Sequence, residues 1–260
     1  MRTLLVQASS LAVAALLAAG CGGDSETSEP DQPVKAEWSY EGGTGPQHWG
    51  DLDDEFGLCK SGGRQSPIDL TGARRGSFPK VATHYVPEQV EVEDNGHAIE
   101  AKIEDTESSA TIDGKRYWLE QFHVHTPSEE TINGRHFPAV IHMVHISEQG
   151  EIAVVAVLVR PGADNPVFAF EIPEGSGAVS DLEGKLDPLQ LLPKSDLGYR
   201  YQGSLTTPPC TEGVNWTVLK QPITLSSEQL KDLREAHPDN NRPIQPRNNR
   251  PVLFGPAITD

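Results

Sequence analysis

Five of the nine histidines in the chain fall within residues 121–145, which read QFHVHTPSEETINGRHFPAVIHMVH. His123 and His125 are one residue apart, and the aromatic residues that precede them favour a β-strand. Alternate side chains leave the same face of a strand, so both imidazoles are expected to point into one pocket. An isolated pair of this kind is more often exposed to solvent than bound to a metal.

A second apolar run, AVIHMVHI, follows the turn signal Asn133-Gly134 and carries His142 at its centre. If the two strands lie side by side, His142 completes a triangle with the histidine pair. Three neutral imidazoles that leave a fourth position for water form the arrangement of a catalytic zinc site. The segment therefore predicts a zinc centre of the hydrolase or lyase type. His145 would lie on the opposite face of its strand and is predicted to be a packed or hydrogen-bonded histidine.

The elements that position these residues belong to one domain, predicted over residues 38–260, where about 220 residues suffice for a sizeable core. Short apolar or alternating runs, separated by Gly, Pro, Asn and Asp, predict a mainly β fold. The apolar run IAVVAVLV (152–159) indicates a central strand that is covered on both faces. One helix is predicted from Ser226 to Ala236, with Ser226 or Ser227 as its cap.

Residues 1–21 have the pattern of an export signal, with a positive charge at Arg2 and a short apolar stretch of small residues. The ending LAAGC (17–21) resembles a bacterial lipobox, in which Cys21 would carry the lipid. Ala18 stands where leucine is commonest, so cleavage to a free secreted form stays open as the alternative. Residues 22–37 are small, polar and acidic, and are predicted to be a disordered tether. Attachment to a membrane is predicted through the lipid alone.

The formal net charge of −17 argues against nucleic acid as a partner, because phosphate binding requires a basic face. Of the three cysteines, Cys59 and Cys210 remain if Cys21 carries a lipid. An even remainder in an exported protein indicates a disulfide, and two buried free thiols are the alternative.

Seven motifs follow one another through the predicted domain: GPQHW (45–49), RQSPIDL (64–70), NGHA (95–98), QFHVHTPSEET (121–131), HMVH (142–145), GSLTTPPC (203–210) and NRPIQPRNNR (241–250). Together they resemble the α-class carbonic anhydrases, in their bacterial exported form. The resemblance implies a large, twisted, mostly antiparallel central sheet with short surface helices. It also implies a zinc lyase that interconverts CO₂ and bicarbonate and needs no cofactor besides Zn²⁺.

The resemblance also implies a role for individual residues. The zinc ligands would be His123, His125 and His142, and the hydroxide they support would attack CO₂. Thr206 would orient that nucleophile, with its own hydroxyl proton donated to Glu129, and His97 would relay the released proton to buffer. The remaining matches are Val144, Val154, Leu205 and Trp216 for the apolar substrate wall, and Tyr40, Asn95, Gln121 and Thr207 for the hydrophilic side that organises the water chain. Thr207 is also matched to the substrate site, and Gln121 to the residues that support the zinc ligands. Ser66-Pro67 and Pro208-Pro209 match cis peptide bonds of the family.

The sequence departs from the family at two positions. The family has a glutamate two residues before the third ligand, where it accepts that ligand's second N–H, and a histidine directly after the residue matched by Glu129. Here these positions hold Val140 and Glu130. In the family the two positions lie against each other, so we expect Glu130 to serve as the acceptor for His142, directly or through water.

Two other functions compete with the enzyme. A non-catalytic relative would lack zinc ligands, whereas all three histidines, Thr206 and Glu129 are present here. A zinc-storage protein would favour flexible His-rich tracts rather than a pocket. The expected small-molecule partners are CO₂ and bicarbonate, and the expected location is the periplasm or cell surface. The oligomeric state stays open, with a dimer as one alternative.

Overall fold

A computed structural model describes residues 36–182 and 184–259. The predicted signal, Cys21 and nearly all of the predicted tether lie outside these residues. The described strands are β1 (Arg74–Arg75), β2 (Val81–His84), β3 (Glu91–Asp94), β4 (Ile99–Lys102), β5 (Ser109–Ile112), β6 (Lys115–His125), β7 (Thr131–Ile132), β8 (Arg135–His136), β9 (Ala139–Ser147), β10 (Ile152–Pro161), β11 (Val179–Asp181), β12 (Leu197–Ser204), β13 (Glu212–Leu225), β14 (Leu253–Pro256) and β15 (Ile258–Thr259). The described α-helices are α1 (Trp49–Leu52), α2 (Leu58–Ser61) and α3 (Ser227–Ala236).

Thirteen of these strands form one sheet, whose main path runs β1-β14-β12-β13-β10-β9-β6-β4-β3-β11. Strands β2, β5 and β15 extend it to the side, and β7 and β8 form a separate hairpin around Asn133 and Gly134. Most neighbours are antiparallel, although β10 and β13 run parallel. The mainly β prediction with a large, mostly antiparallel sheet is confirmed.

Strand β10 lies at the centre of the path, between β9 and β13. Its apolar residues alternate between two core clusters, one on each face: Val155 and Val157 face the larger cluster, and Val154 and Leu158 face the smaller one. Burial on both faces explains why the sequence of this strand is a continuous apolar run rather than an alternating one.

Strand β6 contains a bulge that reverses its faces. The register shifts between Leu119 and Gln121, and the intervening Glu120 is exposed. Because side chains alternate along a regular strand, Leu119 and Phe122 can both face the larger core cluster only if one extra residue lies between them. Beyond the bulge, Gln121 and the histidine pair are turned to the opposite face of the sheet.

The remaining local predictions are confirmed. Helix α3 has Ser226 as its cap, and Ser226 and Gln229 form a reciprocal capping box. Cys59 and Cys210 form a disulfide that joins α2 to the loop after β12, so the alternative of two free thiols is wrong. The two expected cis prolyl bonds are present, and Thr126-Pro127 is a third that the sequence did not predict.

Among the described residues, no helix has the length and apolar character needed to cross a bilayer.

Candidate metal centre

The three histidines lie on one face of two paired strands. His123 in β6 and His142 in β9 are direct cross-strand partners, and His125 lies two residues further along β6. One ring nitrogen from each residue lies within 4.8 Å of the others. The strand pairing expected from the sequence therefore brings three imidazole nitrogens to the spacing of a metal site.

Hydrogen bonds fix which nitrogen of the paired histidines is free. His123 Nδ1 lies 2.8 Å from the amide oxygen of Gln121, and His125 Nδ1 lies 2.6 Å from the backbone carbonyl of Asn240. Both acceptors require a proton on Nδ1, which leaves the Nε2 lone pairs available. Nε2 of His125 is buried and has no hydrogen-bond partner among the described residues, as expected of an atom that faces a metal position.

In His142 the two ring nitrogens have the opposite roles: Nε2 faces an acceptor, and Nδ1 faces the other histidines. Its Nε2 lies 3.4 Å from Oε2 of Glu130, whereas its Nδ1 lies 3.8 Å from Oε2 of Glu129. The same oxygen of Glu129 is 3.6 Å from Nε2 of His125. Nδ1 of His142 and Nε2 of His125 therefore face a common space.

Burial keeps these imidazoles neutral. It lowers the pKa of His125 to about 4, and it lowers the pKa values of His123 and His142 well below the usual range. Neighbouring histidines add to the shift at His123 and His142, because two imidazolium ions would repel each other. Neutral imidazole is the form that binds a metal, so the donor set fits a borderline-soft cation such as Zn²⁺.

Two glutamates are buried beside the histidines. Burial raises the pKa of Glu129 to about 8, partly offset by hydrogen bonding from the Thr206 side chain and the Arg242 backbone N–H. The Arg242 N–H donates to Oε1 of Glu129 over 2.8 Å. Burial also raises the pKa of Glu130 to about 7. A nearby divalent cation would act in the opposite direction and favour both carboxylates in their ionised form.

The buried guanidinium of Arg242 holds the segment that contacts Glu129. It donates to the Gln65 amide oxygen over 2.9 Å, to the Ser66 carbonyl over 2.7 Å and to the Cys59 carbonyl over 2.9 Å. No role for Arg242 was predicted from the sequence. Its position in the motif NRPIQPRNNR was the available signal, but a basic residue there gave no reason to expect burial.

An apolar row lies next to the histidines on the same face. Val154 pairs with Val144 on one side and with Trp216 on the other, and the Trp216 ring lies 4.9 Å from the His142 ring. Leu205 is partly buried and packs against the same cluster. Thr206 and Thr207 follow in the loop that the disulfide closes. The structure thus brings every residue predicted for the apolar wall to the histidine face.

A profile of the eukaryotic-type carbonic anhydrase family matches residues 44–255. A carbonic anhydrase of Klebsiella pneumoniae is 42% identical over 221 residues, which cover 83% of this chain and 90% of the relative. A carbonic anhydrase of Neisseria gonorrhoeae is 42% identical over 220 residues, which cover 83% of this chain and 87% of the relative. Among solved structures, the α-carbonic anhydrase of Thermovibrio ammonificans in complex with the inhibitor sulfanilamide matches with a TM-score of 0.81 and 44% identity, covering 85% of this chain and 100% of that one. The chain belongs to the eukaryotic-type carbonic anhydrase family.

The predicted resemblance is thereby confirmed, and with it the expected metal. Carbonic anhydrases of this family are zinc enzymes that hold the ion with three histidines. The three nitrogens within 4.8 Å of one another, on neutral imidazoles, fit that ion.

His97, which matches the proton-relay residue of carbonic anhydrases, lies at the end of the turn before β4. Its ring stacks on Trp38, with centroids 3.6 Å apart and planes inclined by 11°. Burial lowers its pKa below the ordinary value, the neighbouring His237 adds to this, and Asp94 opposes it. His237 Nε2 lies 2.8 Å from Oδ1 of Asp94. The contacts of Trp38 and His237 with this turn could not be predicted from the sequence, because they join distant parts of the chain.

Three of the residues matched to the water chain differ in their hydrogen bonds. Gln121 and Asn95 both donate their side-chain amides to Oε2 of Glu100, over 3.0 and 3.3 Å. Tyr40 packs edge-on against Trp38, and its buried hydroxyl has no hydrogen-bond partner among the described residues. No role for Glu100 was predicted, since a glutamate in an alternating strand is ordinarily a solvent-facing residue. Burial raises its pKa above the usual value.

Proposed function

We propose that the protein catalyses the reversible hydration of CO₂ to bicarbonate and a proton, with zinc held by His123, His125 and His142. The observation that carries the proposal is the set of three neutral imidazoles beside the Thr206–Glu129 pair and an apolar wall. In carbonic anhydrases, bound zinc lowers the pKa of a coordinated water to about 7, which supplies a strong nucleophile at neutral pH. The protein residues then bind, orient and move protons around that nucleophile.

Thr206 would set the direction of attack. Its hydroxyl has one proton, and donating that proton to Glu129 leaves only lone pairs for the nucleophilic oxygen. The nucleophile must therefore donate its own hydrogen to Thr206, which turns one of its lone pairs toward the substrate. Glu129 is itself held by the Arg242 N–H at 2.8 Å, so the pair is fixed before substrate enters.

The apolar row would receive CO₂. Val144, Val154 and Trp216 offer no hydrogen bonds toward the histidine face, since the indole N–H of Trp216 donates to the Ser204 carbonyl over 3.0 Å. A nonpolar linear molecule loses little on entering such a surface, whereas bicarbonate loses hydration there. The wall would thus favour substrate over product, and Thr207 would contribute on the polar side.

His97 would pass the released proton to buffer. It lies just before β4, the strand that contains Glu100, and Glu100 accepts a hydrogen bond from Gln121. The ring of His97 is half-buried and can exchange protons with solvent. Asn95, Gln121 and Tyr40 would organise the water between it and the histidine cluster.

We further propose that the protein is exported and held at a membrane only by a lipid on Cys21, with residues 22–37 as a tether. The support is the pattern of residues 1–21. Metabolic labelling with a fatty acid tests it: label that persists in Cys21→Ser would rule out lipidation at this residue.

Substitution of one ligand tests the catalytic proposal. Purified His142→Ala should bind less than one equivalent of zinc and lose CO₂ hydration in stopped-flow assays. The control is His84→Ala, because His84 is exposed on β2, a strand that pairs with β5 and β15 rather than with β9. Hydration that survives in His142→Ala would contradict the proposed site. A non-catalytic family member is the competing function, and the complete histidine set disfavours it.

A further inference from the structure

The second nitrogens of the three histidines have different kinds of partner. His123 and His125 contact neutral acceptors, an amide oxygen at 2.8 Å and a backbone carbonyl at 2.6 Å. His142 alone faces a carboxylate, with its Nε2 3.4 Å from Oε2 of Glu130. A carboxylate is the strongest of these acceptors for a metal-bound imidazole N–H.

Besides His142, the Glu130 carboxylate has a hydrogen bond from its own backbone N–H and lies within electrostatic reach of His125 and His136. Its side chain is fully buried, and Oε1 has no hydrogen-bond partner among the described residues. Within residues 36–182 and 184–259, its carboxylate makes no ion pair with Lys or Arg, and its one ion-pair contact is His142. A buried ionised carboxylate is costly unless a positive charge lies nearby, so a cation held by the three histidines would stabilise the ionised form of Glu130.

The strand that carries His142 cannot supply this acceptor. Val140 lies two residues before His142 in β9, so its side chain leaves the same face, and it is completely buried in the apolar cluster that includes Val154. The family resemblance places a glutamate at this strand position. Glu130 lies instead in the loop between β6 and β7.

We propose that Glu130 is the positioning residue for the zinc ligand His142, replacing an acceptor on β9 by one from the β6–β7 loop. By accepting a hydrogen bond from the Nε2–H of His142, Glu130 directs the Nδ1 lone pair of His142 toward His123 and His125. With Glu129 it also places two carboxylates beside a dication, whose charge they balance. This inference rests on the proposed zinc site.

The first experiment measures zinc affinity and zinc release by competition with a chromophoric chelator, in wild type and Glu130→Gln. Glutamine keeps the size of the side chain but weakens the acceptor. We expect zinc affinity to fall by about 10- to 100-fold, with correspondingly faster release. The control is Glu88→Gln, because Glu88 is also a buried glutamate but accepts from the backbone N–H groups of Glu107 and Ser108. Its zinc affinity should be unchanged.

Two further readouts separate positioning from a merely structural role. The absorption spectrum of the Co²⁺-substituted protein should differ between wild type and Glu130→Gln, because His142 binds in an altered orientation. The double variant Glu130→Gln/Val140→Glu should recover most of the zinc affinity, since it returns a carboxylate to the same face of β9. A change in the unfolding temperature of the metal-free protein without a change in zinc affinity or cobalt spectrum would overturn the inference.

The outcomes also distinguish this inference from the proposed function. Wild type that binds zinc while Glu130→Gln retains the same affinity would overturn the role of Glu130 alone. Wild type that takes up no zinc would overturn the metal site and this inference together.

Discussion

In the proposed mechanism, the direction of attack depends on Thr206. In Thr206→Val the side chain keeps its shape but loses the hydroxyl that links the nucleophile to Glu129. Loss of this orientation should lower kcat/KM for CO₂ hydration by about 100-fold. A displacement of a reacting group by about 1 Å can lower the rate by roughly this factor. Stopped-flow hydration measures it. Zinc content should stay at one equivalent, and an unchanged kcat/KM would contradict the role.

His97 should limit turnover only through proton transfer. His97→Ala should lower kcat on the order of 10²-fold in weak buffer, while kcat/KM changes little, because the hydration step itself does not use this residue. Imidazole in the buffer should restore kcat by carrying the proton instead. The control is His84→Ala, since His84 is exposed on β2. A kcat that falls equally in all buffers would point to a structural effect of losing the stack on Trp38.

At the scale of elements, the bulge in β6 decides which face the histidines occupy. The sequence correctly predicted the H-x-H strand, the Asn133-Gly134 turn and the partner strand, because each is encoded by local alternation or turn chemistry. It did not predict the bulge, since Glu120 is an ordinary polar residue and its effect depends on pairing with β9. Without the bulge, simple alternation would have placed Leu119 on the side of the histidines.

The disulfide acts on the loop that carries Thr206. Cys210 closes residues 205–211 against α2, and the two cysteines are 151 residues apart. A double variant Cys59→Ser/Cys210→Ser should lose about 2–5 kcal/mol of the free energy of unfolding, mainly through a less constrained unfolded chain. Urea unfolding measures the difference, with the reduced wild type as the comparison. Equal midpoints for the oxidised wild type and the variant would show that the bond adds no stability.

At the scale of the whole molecule, buried neutral histidines predict sensitivity to acid. Burial lowers the pKa of His145 to about 4, and its ring contacts the Tyr85 hydroxyl at 2.7 Å and the Met143 carbonyl at 3.0 Å. The unfolded chain takes up a proton near pH 6.5, but the folded chain does so only near pH 4. The contribution is therefore complete above pH 6.5 and is lost as the pH falls toward 4.

A variant isolates this contribution. In metal-free protein, wild type should lose about 3 kcal/mol more of its free energy of unfolding than His145→Gln between these two pH values, as estimated from the pKa difference. Denaturant unfolding at several pH values measures it. The comparison with His145→Gln removes the opposite effect of Glu129 and Glu130, whose raised pKa values favour the folded state at lower pH. Parallel pH profiles for the two proteins would contradict the assignment to His145.

Long-range contacts mark the limit of what the sequence could reveal. The type of fold, the three metal-binding histidines and the disulfide followed from local patterns, cysteine counting and the family motifs. The Asn240 carbonyl that fixes His125 and the Trp38 ring that stacks on His97 did not. A backbone carbonyl has no residue type to recognise, and a tryptophan near the start of the domain is ordinarily a core residue. Their roles depend on how the segments around Trp38 and Asn240 fold back on the sheet.

We propose that one zinc ion on His123, His125 and His142 makes this protein a CO₂ hydratase. The most direct test titrates zinc into the metal-free protein and follows CO₂ hydration by stopped flow. We predict a rate that rises linearly and stops rising at one equivalent of zinc. A folded protein that binds one equivalent of zinc without hydrating CO₂ would contradict the claim.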